Sequence, residues 1–119
     1  MKKTVVIGAS PNPERYSNRA VKKLAGHGHE VVAVGQRKGN ISGIEIHTDH
    51  PPVNDTDTVT LYVGPQNQPP LYDYIFSLHP RRIIFNPGAE NPELEEVATS
   101  KGIEVVEACT LVMLSIGNY

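Results

Sequence analysis

A pyrophosphate asks for unpaired backbone amides, little side-chain bulk and a forked cation. One stretch of this 119-residue sequence offers all three: Gly8, Ala9 and Ser10, then Pro11-Asn12-Pro13-Glu14, then Arg15, Ser17 and Arg19. The small residues let an anion reach the main chain, Ser10 and Ser17 bring hydroxyls, and Arg15 or Arg19 brings a guanidinium. A helix starting near Ser17 adds amides without intrahelical partners and the positive end of its dipole. A plainer alternative is that Gly8 only turns the chain and Ser17 only caps a helix. Strand–glycine–helix crossovers at the start of a chain more often face a ligand crevice, so the ligand reading is preferred.

Other chemistry-bearing residues do not assemble by spacing. Cys109 is the only cysteine, so no intramolecular disulfide forms, and a reducing, cytoplasmic setting is expected. It lies between Glu107-Ala108 and the apolar Thr110-Leu111-Val112, which favours a buried structural thiol over a reactive one. His47-Thr48-Asp49-His50 lacks a further clustered ligand, so no metal is expected. His79 precedes Pro80 and a strand, at the sheet edge away from Gly8. No Ser-His-Asp arrangement, paired carboxylates or phosphotransfer loop has spacing support, and no catalytic residue is assigned.

The elements that must position the anion loop follow from periodicity. Short β-branched runs predict strands near 4–8, 30–35, 58–63, 82–86 and 103–106, the first of them central. Ala20, Val21, Leu24 and Ala25 share one face of a helix that ends at Gly26-His27-Gly28. Residues 41–46 alternate briefly and read as a short edge segment. A helix over 66–78 is interrupted by Pro69-Pro70 and dependable from Leu71, with Leu71, Tyr74, Ile75 and Leu78 inward. Another starts at Pro92 with Asn91 as its cap, and a last one covers 110–115. Strands alternating with helices imply a single α/β domain over 1–119, three-layered, with a five-stranded, mainly parallel sheet. Loops 8–17, 35–39, 63–66 and 86–90 then converge on the carboxyl edge of that sheet, where ligands of open α/β sheets bind. Val63, Gly64 and Pro65, with Asn86, Pro87 and Gly88, are expected to line the rest of the crevice.

Charge supports a small polyanion. Residues 1–38 hold eight of the 11 Lys and Arg and two acids, a balance of +6, while the remaining 81 residues hold three bases and 11 acids, or −8. A long polyanion would meet the acidic remainder, and no aromatic–basic interleaving appears, so nucleic acid is not expected. No targeting or membrane-spanning segment is visible either. As to which nucleotide, the dinucleotide fingerprint needs three glycines and this loop supplies Gly8 alone. After the second strand, Gly35-Gln36-Arg37-Lys38 carries no carboxylate for ribose hydroxyls, which argues against NAD. Arg37 and Lys38 suit a phosphate on the ribose, as in NADP or in the 3′-phospho-ADP of coenzyme A.

Gly8-Ala9-Ser10-Pro11-Asn12-Pro13-Glu14-Arg15, Ser17, Gly28-His29-Glu30-Val31, Arg37-Lys38-Gly39, Asn86-Pro87-Gly88-Ala89-Glu90 and Gly102-Ile103-Glu104-Val105-Val106 together resemble the small CoA-binding Rossmann-domain family. That family is related to the CoA-binding domain of the succinyl-CoA synthetase α subunit. The resemblance spans residues 3–115 and implies a Rossmann-like fold that binds coenzyme A. Where the family usually reads Val-Asn-Pro-Lys after strand two, this chain has Val34-Gly35-Gln36-Arg37. Three readings follow. The first is a stand-alone CoA or acyl-CoA binding protein, non-catalytic by itself. The others are an NADP-binding redox protein or sensor, and a protein-interaction scaffold with a vestigial nucleotide pocket. A protein partner or a self-associated copy stays open.

Overall fold

Runs too short for a helix and apolar on both sides become the central strands, because only a sheet covered on both faces buries every one of their side chains. The computed structural model describes residues 1–119. In it β1 (Thr4–Ile7), β5 (Thr58–Leu61) and β6 (Arg82–Phe85) are buried at every position. The remaining strands are β2 (Val31–Val34), β3 (Gly39–Ile41), β4 (Ile44–His47) and β7 (Glu104–Glu107). The helices are α1 (Tyr16–Gly26), α2 (Tyr72–Ser77), α3 (Pro92–Ser100) and α4 (Thr110–Ile116). Strand order is β3-β4-β2-β1-β5-β6-β7, with β1 in the middle and every neighbouring pair parallel except β3–β4.

The sheet therefore has seven strands, not five. The five expected parallel strands are present, and the two additional ones come from the segment read as a single edge piece. Ile41 and Ile44 flank Ser42 (φ 49°) and Gly43 (φ 89°), and positive φ at both central residues is the twist of a two-residue hairpin turn. Asn40 Oδ1 accepts from Gly43 N at 2.7 Å and locks the turn. One half of the alternation then pairs with β2 and the other folds back as the outermost strand.

Layering follows from the two faces of each strand. Val5, Ile7, Val59, Leu61, Ile83 and Phe85 meet Tyr74 and Ile75 of α2 and Leu94 and Ala98 of α3. Val6, Ala33 and Ile46 meet Val21 and Leu24 of α1 and Leu114 of α4. Each fully buried Leu, Ile or Phe contributes roughly 1.5–3 kcal/mol, so these two layers supply most of the drive to fold. Proline shortened one expected helix: residues 65–67 and 69–71 form tight 3₁₀ turns, and α2 itself covers only Tyr72–Ser77. Leu71 is half-buried, whereas Tyr74, Ile75 and Leu78 are buried as the pattern required. Asn91 caps α3, its Oδ1 accepting from Leu94 N at 3.2 Å.

Under α4 the sheet is polar rather than apolar. Asn86 Nδ2 donates to Thr60 Oγ1 (2.6 Å) and to Leu61 O (2.8 Å), and Asn86 Oδ1 accepts from Thr110 N (2.9 Å). Thr60 and Thr110 join hydroxyls at 2.8 Å. Cys109, at the N-cap of α4, makes no side-chain cap bond, so Asn86, the residue after β6, supplies one. Along the same face the Tyr119 hydroxyl bonds Thr4 Oγ1, and its ring lies 4.5 Å from the Arg82 guanidinium.

Candidate functional site

Gly8 sits where β1 leaves the sheet, at φ +96°, and a Cβ there would lie 2.7 Å from Tyr62 O and 2.9 Å from Tyr62 C. Only glycine lets the ends of β1 and β5 close this tightly. The same principle joins the loops after β1 and β2. A Cβ on Gly35 would fall 2.2 Å from Ala9 O, and one on Gly39 would fall 2.7 Å from Pro11 Cβ. Residues 8–11 and 35–39 are thus laid side by side, as a shared crevice requires.

Backbone hydrogen bonds redistribute the roles expected in this loop. Gly8 N and Ala9 N both donate to Val34 O, at 2.9 and 3.0 Å, and so are spent on the fold. Asn12 N donates to Ser10 Oγ, Glu14 N to Asn12 Oδ1 and Arg15 N to Asn12 O, which winds the loop into α1. The amides left without any protein acceptor are those of Ser10, Tyr16 and Ser17. Arg15, the N-cap residue of α1, makes no side-chain cap bond, so the first turn of an eleven-residue helix keeps its positive end uncapped. Ser17 is buried, and its hydroxyl has no protein partner.

Four cations lie on α1 and the two adjoining loops without counter-charges. Arg15, Arg19, Arg37 and Lys38 are all exposed, and none forms an ion pair. The ion pairs that do form are Lys3–Glu30 (3.5 Å), His47–Glu45 (3.9 Å) and Arg81–Asp57 (3.7 Å). Arg19 instead lies over the Tyr16 ring at 5.5 Å. Acids gather at the other half of the edge. A hydrogen bond to Glu95 that only the protonated Glu107 carboxyl can donate, then the Glu95 charge, desolvation and the Glu90 charge, hold the Glu107 carboxyl above its ordinary range. The carboxyl edge is basic over β2 and β1 and acidic over β6 and β7.

The wall over β5 and β6 is built differently from what the sequence suggested. Val63 and Gly64 are half-buried, and Pro65, Pro87 and Gly88 are exposed. Asn86 is buried with its amide committed to Thr60, Leu61 and Thr110, so it holds the wall together rather than offering a side chain to a ligand. Gly88 N donates to Glu90 Oε1 at 2.8 Å. Three residues went unnoticed in the sequence. Gln68, fully buried, donates to Val63 O (2.8 Å) and Ala89 O (2.7 Å) and accepts from Asn91 Nδ2 (2.8 Å), clipping the two loops to the start of α3. Asn18, 2% exposed, holds Ser10 O through Nδ2 at 2.9 Å, while its Oδ1 has no partner. Tyr62 carries a buried hydroxyl without a partner, and burial pushes its phenol well above the ordinary value. A lone amide or phenol in a mixed segment carries no periodic signal, so only the fold reveals these roles.

Cys109 is half-buried rather than buried. His47 lies beside Glu45, His50 stacks on Tyr74 at 4.5 Å, and no three His, Cys, Asp or Glu side chains gather as a metal site. His79 lies among residues at the amino edge, opposite the crevice. No helix is long and apolar enough to cross a membrane.

With this geometry in hand, comparisons with known proteins place the chain. A family model described as "CoA binding domain" matches residues 2–115. A crystal structure of an uncharacterised protein is 52% identical, with TM-score 0.98, covering 100% of this chain and 98% of that one. A hypothetical protein from Pyrococcus horikoshii OT3 is 26% identical, with TM-score 0.83, over 97% of this chain and 82% of that one. Acetyl-coenzyme A synthetase 1 of Ca. Korarchaeum cryptofilum, solved with phosphate and ADP, shares the fold at 18% identity and TM-score 0.69, over 89% of this chain and 25% of that one. No curated protein matches.

Proposed function

Since this chain belongs to the CoA-binding domain family, we propose that it binds coenzyme A or an acyl-CoA at the carboxyl edge of the sheet and is not catalytic by itself. The observation that carries this reading is the uncapped start of α1: free amides on Ser10, Tyr16 and Ser17, beside four cations with no carboxylate partner. Amides and cations grouped this way at a helix start form an arrangement suited to an anion. The residues therefore fit a pyrophosphate. Ser10, Tyr16 and Ser17 hold it through main-chain N–H groups and the serine hydroxyls, with Arg15 or Arg19 adding charge, while Gly8 and Ala9 keep the space clear. Arg37 or Lys38 meets the ribose 3′-phosphate. Val63, Gly64, Pro65, Pro87 and Gly88 line the way out for the pantetheine arm, and Asn86 braces that wall from beneath. When bound, coenzyme A supplies a thiol that carries acyl groups; the protein's part is to hold and present it.

Native mass spectrometry and calorimetric titration with CoA, dephospho-CoA and NADP test the reading. CoA is expected to bind, and a charge-assisted bond worth roughly 1.5–3 kcal/mol makes Arg37→Ala weaken it about tenfold or more. Dephospho-CoA is expected to change much less, and Lys38→Ala identifies which cation reads the phosphate. Equal losses for both ligands in both variants would remove the 3′-phosphate assignment. Retention of NADP with no affinity for CoA would favour a redox protein or sensor, which the same Arg37-Lys38 pair suits. Binding of neither would leave the interaction scaffold.

A further inference from the structure

The amino edge of the sheet, opposite the proposed coenzyme site, carries two adjoining clefts. One, of about 450 Å3, is lined by Lys2, Asp57, Arg81, Arg82, Gly102 and Glu104. The other, of about 740 Å3, shares Asp57 and Arg81 with it and includes Thr56. Two of the four buried side-chain atoms in the molecule that lack a hydrogen-bond partner, Arg82 Nη2 and Thr56 Oγ1, belong to residues that line these clefts.

Arg82 is the unusual member. It is 7% exposed, its Nε donates to Thr58 Oγ1 at 3.0 Å, and the Tyr119 ring covers its guanidinium at 4.5 Å. Both neighbours are neutral, and no carboxylate lies within ion-pair distance. A buried guanidinium without a counter-charge is unfavourable, so its unpaired N–H group calls for a partner. The carboxylates of the cleft do not fill the role. Asp57 is taken by Arg81 (3.7 Å) and by the Thr58 hydroxyl (2.7 Å), and Glu104 is exposed and pairs with no cation. Lys2 forms no ion pair either, so two of the three cations lining the cleft are uncompensated.

We propose that this cleft is a second anion site, in which Arg82, Lys2 and Arg81 take the oxygens of a small carboxylate or phosphate group. The buried guanidinium gives direction, since a planar fork matches paired oxygens, and the two outer cations give attraction. The site is independent of whether the carboxyl edge binds coenzyme A, because the two lie at opposite ends of the strands.

Amide NMR of the full chain separates the sources. Inorganic phosphate and acetate are titrated in separate arms, with ionic strength held by sodium chloride. Saturable shifts at the amides of Lys2, Arg81, Arg82 and Gly102 are expected in at least one arm, and the responding arm names the group. The double variant Lys2→Gln/Arg81→Gln, at surface positions, is expected to weaken that binding tenfold or more while leaving phosphate shifts at Ser10, Tyr16 and Ser17 unchanged. Arg82→Met is expected to abolish it; should that variant fail to fold, the double variant decides. Shifts that match sodium chloride alone, or an affinity unchanged in the double variant, would overturn the proposal.

Discussion

Replacing Gly8 by alanine tests the structural premise of the crevice, because its cost divides into two parts that a second glycine separates. The first part is conformational: an L-residue at φ +96° costs about 1–2 kcal/mol. The second is steric. The new methyl would stand 2.7 Å from Tyr62 O, and the overlap is relieved only by parting β1 from β5 where Tyr62 N donates to Ile7 O at 2.8 Å. Losing that buried bond adds about 1–3 kcal/mol. The sum is about 2–5 kcal/mol. Gly88→Ala, at φ +94° with nothing within 4 Å of its Cβ, carries the conformational part alone. Urea unfolding of both variants measures the difference, and at roughly 4 °C per kcal/mol for a domain near this size the melting temperatures separate by several degrees. A Gly8→Ala loss equal to that of Gly88→Ala would refute the argument that glycine is there for the close approach of the strands. CoA titration of the Gly8 variant then asks whether the loop it displaces is the binding loop.

Three further outcomes are expected. Asn86→Ala strips the cap from Thr110 N and the donor from Thr60 and Leu61, and should cost about 2–4 kcal/mol by urea midpoint; a loss below about 0.5 kcal/mol would show that the polar seam is not structural, being the size of an ordinary surface change. His29 accepts from Lys2 N through Nδ1, and burial, then the charges of the N-terminus, Lys2, His27 and Arg82, hold its pKa below the ordinary value. The folded state therefore binds its proton less readily than the unfolded chain, so its stabilisation is present above about pH 6.5 and is lost as pH falls through that value toward the lower folded one. Unfolding midpoints across pH 5 to 7 should slope upward, and His29→Gln should flatten them. Cys109→Ser should leave CoA affinity within about twofold, because the thiol is not among the proposed contacts, and the wild-type chain should not turn over acyl-CoAs; multiple-turnover thioester cleavage that disappears in the variant would make the protein an enzyme.

What the sequence disclosed, it disclosed through repetition. Val5-Val6-Ile7 and Ile83-Ile84-Phe85 are too apolar and too short to be anything but buried strands, and Asn91-Pro92 announces a helix start by chemistry local to two residues. The hairpin was marked only by a one-residue break: Ile41 to Ile44 spans three positions where Ile44 to Ile46 spans two, and Ser42-Gly43 fills the break with a turn pair. Tyr72–Ser77 came out shorter than its pattern because two prolines divert the preceding residues into tight turns. At the proposed site, the small-residue loop and the exposed cations near it were legible from residue type. The diversion of the Gly8 and Ala9 amides to Val34, and of the Asn86 side chain to α4, was not, since each depends on a partner more than 20 residues away.

Gln68 bears on how fast, and at what entropic cost, this edge can engage anything. One side chain fastens the loops after β5 and β6 to each other and to the cap of α3. Opening either loop alone breaks at least one of these buried bonds, so their movements are coupled. A ligand bound as proposed would meet a surface already shaped over this half, and the ordering that accompanies binding would fall on the other half, where Arg15, Arg19, Arg37 and Lys38 are held by no ion pair. Immobilising each such long side chain costs on the order of 0.5–1.5 kcal/mol. Association is then expected to be quick and shallow in its structural change, with residence time set by how many of those four cations the ligand keeps in place.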